Sequence, residues 1–368
     1  MKQELENLKE ENLYRSLKES DVINQVEICR GNKKLISFCC NDYLGLSCNS
    51  KVKKAAIEAV KKYGVGARAS RYVTGNNSLY TKLEAQIAKF KNCQDAIVFS
   101  SGYSCAIGVI PALVGQGDLI VADKLIHSSL IDGSKLSGAR FMRFLHNDIS
   151  QARKILEENR SNFKKCLIIT ENIFSMDGDL GDTLGLLELS QEFDCLLISD
   201  DAHGLWIKED EPFMPSNYIQ LGTLSKAIGG LGGYVAGDKT TIEYLRNFAK
   251  SQIYSTALPP AILAACLESI NTINQKNIGK KTLKNAEYFC KLMNLPKPQS
   301  AIVVIIIGDN KKVLDIAKNI EEKGFLISAI RPPTVEAGKS RLRITFSSEH
   351  KKSDIKKLAE ILTIKLSK

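Results

Sequence analysis

The sequence holds a single tryptophan, four histidines in 368 residues, and no CxxC pair among its ten cysteines. Each scarcity excludes something. The longest apolar run, 301–307, is far short of the roughly 20 residues needed to span a bilayer, so no membrane segment is expected. The opening MKQELENLKEENL mixes both charge signs around no apolar core. It reads as a surface helix and not as a secretory signal. Scattered cysteines without such a signal are expected as reduced thiols in a cytoplasmic protein. No Cys/His group has ligand spacing, so no metal site is expected. A GxGxxG fingerprint after the first strand is also missing, which removes the usual dinucleotide signature.

What is present is basic and ordinary in apolar content. Lysine and arginine outnumber the acids 51 to 41, for a net charge of +10. The lysines are spread along the chain, with no long basic block and no interleaved aromatics. That argues against nucleic acid and leaves phosphate-bearing ligands open. The length implies a large domain with a smaller companion. Charged helical stretches alternate with short apolar runs: DAIVFSS (95–101), DLIVAD (118–123), CLIITEN (166–172), CLLISDD (195–201), YIQLGTLSK (218–226) and GGYVAG (232–237). This pattern predicts an α/β protein with a buried, mainly parallel sheet. Near residue 275 the chain turns polar. Beyond it an apolar strand, a helix, FLISAI, RLRITFS and a last helix suggest a small α+β domain. The expected divisions are an N-terminal helical segment 1–45, a large domain 46–275 and a small domain 276–368.

Polar residues gather where the apolar runs end, the place where open α/β sheets bind ligands. CLLISDDAHG brings Asp200 and His203 to one strand end. SSGYS (100–104) makes a strand-to-helix turn whose amides at Ser101, Gly102 and Tyr103 can cradle a phosphate. His127 follows the run 118–122. In LGTLSKAIGG, Lys226 lies among small and apolar residues with Thr223 and Ser225 beside it. Taken singly, each has a plain structural reading: a helix cap for either aspartate, a solvated turn for Lys226, a satisfied core imidazole for His127. His350 reads as a surface residue. Taken together they describe a flat, phosphate-bearing aldehyde held as an imine, which is pyridoxal 5′-phosphate. It needs a lysine, a carboxylate at the ring nitrogen, a phosphate cradle and a stacking ring.

The motifs FCCNDYLGLS (38–47), GARASRYVTGNNSLYTKLE (66–84), FSSGYSCAIGVI (99–110), ADKLIHSSLIDG (122–133), FLHND (144–148), TENIFSMDGDLGDT (170–183), SDDAHG, TLSKAIGGLGGY (223–234), IYSTALPP (253–260) and RPPTVEAGKSRLRIT (331–345) span nearly the whole chain. As a set, the sequence resembles the α-oxoamine synthases, a group of fold-type I pyridoxal-phosphate transferases. IYSTALPP and the RPPTV…RLRIT segment are most similar to the members that serve biotin synthesis. Those join L-alanine to a pimeloyl thioester, on coenzyme A or acyl-carrier protein, with loss of CO2, and give 8-amino-7-oxononanoate. Glycine C-acetyltransferase, 5-aminolevulinate synthase and serine palmitoyltransferase belong to the same group.

The resemblance implies that Lys226 would hold the cofactor covalently and move the Cα proton. Asp200 would pair with the ring nitrogen, His203 with the phenolic oxygen, and His127 would stack on the ring. Ser101, Gly102, Tyr103 and Thr223 would hold the phosphate, and Ser175 would lie beside the ring. Asn41 and Arg343 would take the amino-acid carboxylate. Tyr254 and Thr256 would lie near the site, Thr256 reaching the phosphate of a second subunit in a homodimer. Arg15 would contact the acyl substrate. Two departures stand out. Asp201 follows Asp200 where relatives often have glutamate, and LWIKEDEPFMPSN (205–217) is short and lacks a glycine-rich segment.

Overall fold

A computed structural model of the chain describes residues 1–204, 215–275 and 278–366. The chain folds into two compact units. One comprises Asn49–Phe174 with Leu180–Lys276; the other comprises Met1–Cys48, Ser175–Asp179 and Asn277–Lys368.

The larger unit is built on a seven-stranded sheet. Its strands are β1 (Asp95–Phe99), β2 (Leu119–Asp123), β3 (Arg140–Phe144), β4 (Cys166–Glu171), β5 (Leu196–Asp200), β6 (Tyr218–Thr223) and β7 (Gly233–Gly237). In space they run β1-β7-β6-β5-β4-β2-β3. All neighbours are parallel except β7, which is antiparallel to both β1 and β6. Every residue of β2, β4, β6 and β7 is buried. A strand covered on both faces must be apolar at every position, which is why these runs show no alternation. One core cluster gathers Val109, Ile110 and Leu130 under Ile120, Ile169 and Val235. A second packs Ala152, Leu156, Leu186 and Leu189 against Val121, Ile168 and Leu197. The edge strand β3, sequence RFMRF, is only partly buried, and its mixed character hid it from the apolar-run pattern.

Two helices matter for the site. α1 (Gly102–Leu113) follows β1, and α2 (Ser128–Ser137) follows the turn after β2. In the helix Ser50–Tyr63, Asn49 caps the start and Gly64 stands past the end at φ 83°, a left-handed conformation that glycine adopts without a Cβ clash.

The smaller unit has its own core, with Phe38, Phe289, Phe346, Leu342, Ile344 and Leu358 at the centre. Lys33–Ser37 pairs in parallel with Phe325–Leu326, which ties the N-terminal residues to the C-terminal ones. The N-terminal segment 1–45, expected to stand by itself, therefore shares a unit with residues 277–368. Its helix Lys2–Glu10 buries no residue, consistent with its charge pattern. Ile302–Gly308, Ser340–Thr345 and Ser328–Ile330 form an antiparallel sheet in the order first, second, third. His350, expected at the surface, is buried. Its ring stacks on Phe38 at 3.9 Å, its Nδ1 accepts from the Ser347 amide, and its Nε2 lies 3.0 Å from the Ser37 carbonyl. A polar ring can be buried this way because both nitrogens are satisfied.

All ten cysteines are free thiols. Among the described residues no group of His, Cys, Asp and Glu could hold a metal ion, and no helix is long and apolar enough to cross a membrane.

Candidate active site

The carboxyl ends of β1, β2, β4, β5 and β6 converge on one cavity of about 230 Å³. Ser101, Gly102 and Tyr103 line it from the turn after β1, and His127 and Ser129 from the turn after β2. Glu171 enters at the end of β4, Asp200, Ala202 and His203 at the end of β5, and Gly222, Thr223, Ser225 and Lys226 at the end of β6. Parallel register produces this convergence. Glu171 pairs with Asp200, and Asp200 with Leu221, so three strands end level.

At one end of the cavity the N-terminus of α1 is prepared for an anion. Ser101 and Ser104 form a reciprocal cap: the Ser101 hydroxyl accepts from the Ser104 amide at 3.0 Å, and the Ser104 hydroxyl from the Ser101 amide at 2.9 Å. The amides of Gly102 and Tyr103 have no acceptor among the described residues and point out of the first turn, where the helix dipole favours negative charge. Gly233 of β7 lies so near that a Cβ on it would come within 2.5 Å of the Ser101 carbonyl. The Thr223 hydroxyl donates to the Gly232 carbonyl at 2.9 Å and lies 2.7 Å from the Ser225 hydroxyl. With that proton committed, Ser225 donates in the shorter contact, so the two hydroxyls form a chain from Ser225 through Thr223 to the Gly232 carbonyl.

Further in, Lys226 Nζ and His203 Nε2 are 2.7 Å apart. Asp200 Oδ1 accepts from the Ala202 amide at 2.9 Å. Burial pushes the Asp200 carboxyl above the ordinary range; Lys226, that amide and His127 pull it back, while Asp201 adds to the rise. His127 caps α2, its Nδ1 accepting from the Ser129 amide at 3.2 Å and lying 2.8 Å from the Ser129 hydroxyl. That fixes the ring, and burial, reinforced by the Lys226 charge, lowers its pKa. Tyr103 is half exposed, its hydroxyl donating to Asp132 at 2.7 Å.

The cavity thus brings together Ser101, Gly102, Tyr103, His127, Asp200, His203, Thr223 and Lys226. The remaining candidates sit elsewhere. Thr256 forms an isolated bridge with Ser70, and Tyr254 is 81% exposed. In the smaller unit, Arg343 Nε donates to the Ser175 carbonyl at 2.6 Å, and both terminal nitrogens lie 3.4 Å from Asn41 Oδ1. Arg15 donates to the Pro332 carbonyl and to Thr334 at 3.3 Å. Residues 205–214 of the shortened segment LWIKEDEPFMPSN lie outside the described residues. Two polar side chains of the lining, Glu171 and Ser129, have no part assigned from the sequence. Glu171 had a signal, as an acid ending an apolar run. Ser129 had one in the doubled serine after His127.

The polar lining fits a flat, phosphate-bearing ring: an amine, two carboxylates at strand ends, two imidazoles, and a hydroxyl-rich helix N-terminus. The aminotransferase class I and II family model matches residues 33–362. The 8-amino-7-oxononanoate synthase of Beijerinckia indica subsp. indica is 42% identical over 366 residues, covering 97% of this chain and 95% of that protein. Serine palmitoyltransferase of Sphingomonas wittichii superposes with a TM-score of 0.89 at 25% identity, over 94% of this chain and 90% of that one. The 8-amino-7-oxononanoate synthase of Francisella tularensis gives 0.75 at 29% identity, over 90% and 98%.

Proposed function

The chain belongs to the aminotransferase class I and II family, and from that premise we propose that it is a pyridoxal-phosphate acyltransferase that joins L-alanine to a pimeloyl thioester. The products are 8-amino-7-oxononanoate, CO2 and the free thiol, in biotin synthesis. The observation that carries this reading is the 42% identity to an 8-amino-7-oxononanoate synthase across 97% of the chain, combined with a cavity that holds every polar group the cofactor requires.

When bound, pyridoxal phosphate supplies an electron sink for the pair left at Cα when a proton or CO2 departs. The chain's own residues do the rest. The amides of Gly102 and Tyr103 would hold the phosphate, with Thr223 and Ser225. His127, fixed by Ser129, would stack on the ring. Asp200 would pair with the ring nitrogen and favour its protonated form. Lys226 would hold the group covalently, and its amine would take the Cα proton and later return one. His203, 2.7 Å from that amine, would orient it and bond the phenolic oxygen. We assign the alanine carboxylate to Arg343 and Asn41, because a guanidinium matches a carboxylate in two parallel hydrogen bonds. Ser175, whose carbonyl Arg343 already holds, is assigned a place beside the ring, and Arg15 a contact with the acyl chain. We further propose a cytoplasmic homodimer in which Thr256 reaches the second copy's phosphate and Tyr254 lies near its site.

The closer superposition on serine palmitoyltransferase favours a second reading, another α-oxoamine synthase such as glycine C-acetyltransferase or 5-aminolevulinate synthase. A substrate panel separates them. The purified enzyme is supplied with L-alanine, glycine or L-serine, and with pimeloyl, acetyl, succinyl or palmitoyl thioesters on coenzyme A or acyl-carrier protein. CO2 release is followed. Fastest turnover with alanine and a pimeloyl thioester is expected. Fastest turnover with another pair overturns the substrate assignment and leaves the cofactor assignment standing.

A further inference from the structure

Asp201, the neighbour of Asp200, has no part in the cavity. Successive side chains at a strand end point to opposite sides. Asp200 therefore lines the cavity while Asp201 turns back into the protein, where it is 2% exposed. Its carboxylate is met there from two sides. Asp201 Oδ2 accepts from Lys91 Nζ at 2.8 Å, and Oδ1 from Asn172 Nδ2 at 2.9 Å. Lys91 is itself buried, entering from the end of the helix Ser78–Phe90, and its carbonyl accepts from Gln220 Nε2. Asn172 joins the two aspartates. Its amide donates to the Asp200 carbonyl at 2.9 Å while its side chain holds Asp201. Asn172 Oδ1 in turn accepts from Thr183 at 2.9 Å and from Ser199. Gly204 seals the arrangement, since a Cβ there would lie 2.3 Å from Asp201 Oδ1.

A buried ammonium and a buried carboxylate are costly to hold in a protein interior, and hydrophobic residues of like volume would serve packing as well or better. A reason for the pair lies in what stands next to it. Two adjacent carboxylates in a low-dielectric place resist joint ionisation, so one of them would keep a proton. The cavity already presents Asp200 with Glu171, His127, His203 and Lys226 around it. From outside the cavity, Asp201 also pushes the Asp200 carboxyl upward.

We propose that Lys91 is a positioning residue for the reaction: its ammonium balances Asp201, and Asn172 locks the pair, so that Asp200 presents a full negative charge to the cofactor's ring nitrogen. The inference rests on the cofactor reading above. Without Lys91, the unbalanced charge of Asp201 acts more strongly on Asp200 than on the more distant ring nitrogen. The proton those two share shifts from the nitrogen toward Asp200, and the ring loses its character as an electron sink.

The test is nitrogen-15 NMR of the holoenzyme loaded with pyridoxal phosphate labelled at its ring nitrogen, together with steady-state kinetics. The unsubstituted enzyme gives the pyridinium signal. Absence of a bound, labelled ring in it overturns the cofactor reading itself. Lys91→Met is expected to move the signal toward neutral pyridine and to lower kcat at least tenfold with KM little changed. Lys91→Arg keeps the charge and is expected to keep both. Asp201→Asn removes the charge that needs balancing, so it should keep the pyridinium signal and kcat within a few-fold, and Lys91→Met combined with Asp201→Asn should do the same. A pyridinium signal that persists in Lys91→Met overturns the proposal. Loss of it in Asp201→Asn or in the double variant also overturns it, and these two variants carry the test should Lys91→Met not fold.

Discussion

Lys226 and His203 meet in a 2.7 Å hydrogen bond inside a cavity whose other polar lining is two carboxylates, a second imidazole, hydroxyls and amides. Lys226→Ala is expected to lower kcat by roughly four orders of magnitude or more, since it removes both the covalent anchor and the proton carrier. Borohydride treatment of the native enzyme should fix the cofactor on the peptide containing Lys226; a label elsewhere would sink the assignment. His350 gives a prediction of another kind. Burial holds its pKa at about 4, against an ordinary value of 6.5. The unfolded chain takes up a proton below 6.5 that the folded chain refuses until about 4. Its contribution is therefore fully present above pH 6.5 and is lost as pH falls toward 4, amounting to roughly 3 kcal/mol over that window. Denaturant unfolding of His350→Gln beside the native chain should show a shallower loss of stability for the variant between pH 6.5 and 4.

At the scale of elements, the start of α1 and the β6–β7 pair govern the phosphate end. The Ser101 hydroxyl is engaged by Ser104, so its role is to cap α1, and the ligand is left to the backbone amides. Ser101→Ala is expected to cost about 1 kcal/mol of stability, as loss of an N-cap does, and to weaken cofactor binding only as far as the first turn loosens. Thermal melts of the cofactor-free protein and a cofactor titration measure the two effects separately. In β6, Gly222 faces Tyr234 of β7, and a Cβ there would lie 2.3 Å from the Tyr234 hydroxyl. Both residues are buried, so the ring has nowhere to move. Gly222→Ala should destabilise by about 1–3 kcal/mol through overpacking. An unchanged melting temperature would show that β6 and β7 can separate freely.

For the molecule as a whole, the proposed homodimer predicts sedimentation at twice the chain mass of 40.6 kDa in the holoenzyme. Thr256→Ala should then weaken cofactor binding although Thr256 lies outside the cavity of its own chain. A holoenzyme that sediments as a single chain with full activity overturns that arrangement. The net charge of +10 bears on the thiol carrier. If an acidic carrier protein is the donor, its KM should rise as salt shortens the reach of surface charge. A KM that stays flat from low to high salt would favour coenzyme A.

Much of this protein is determined locally. Runs such as DLIVAD and CLIITEN are apolar at every position because their strands are buried on both faces, so the sequence reveals a central parallel sheet. The candidate residues of the cavity were legible because each ends such a run or opens the helix after it. Asp200, Lys226 and the Ser101–Tyr103 turn carry chemistry that their surroundings make expensive without a purpose. The tertiary structure decided what depends on partners far away in the chain. His350 was misplaced because a lone histidine near lysines looks solvated until Phe38 and Ser37, over 300 residues earlier, come to cover it. The N-terminal segment joined residues 277–368 through strand pairing that leaves no local mark. Lys91 and Asp201 stand 110 positions apart, and nothing in FKNCQD announces a buried ammonium. Periodicity and strand-end chemistry are short-range properties and can be read along the chain. Which charges balance one another in the interior is settled only when the sheet closes around them.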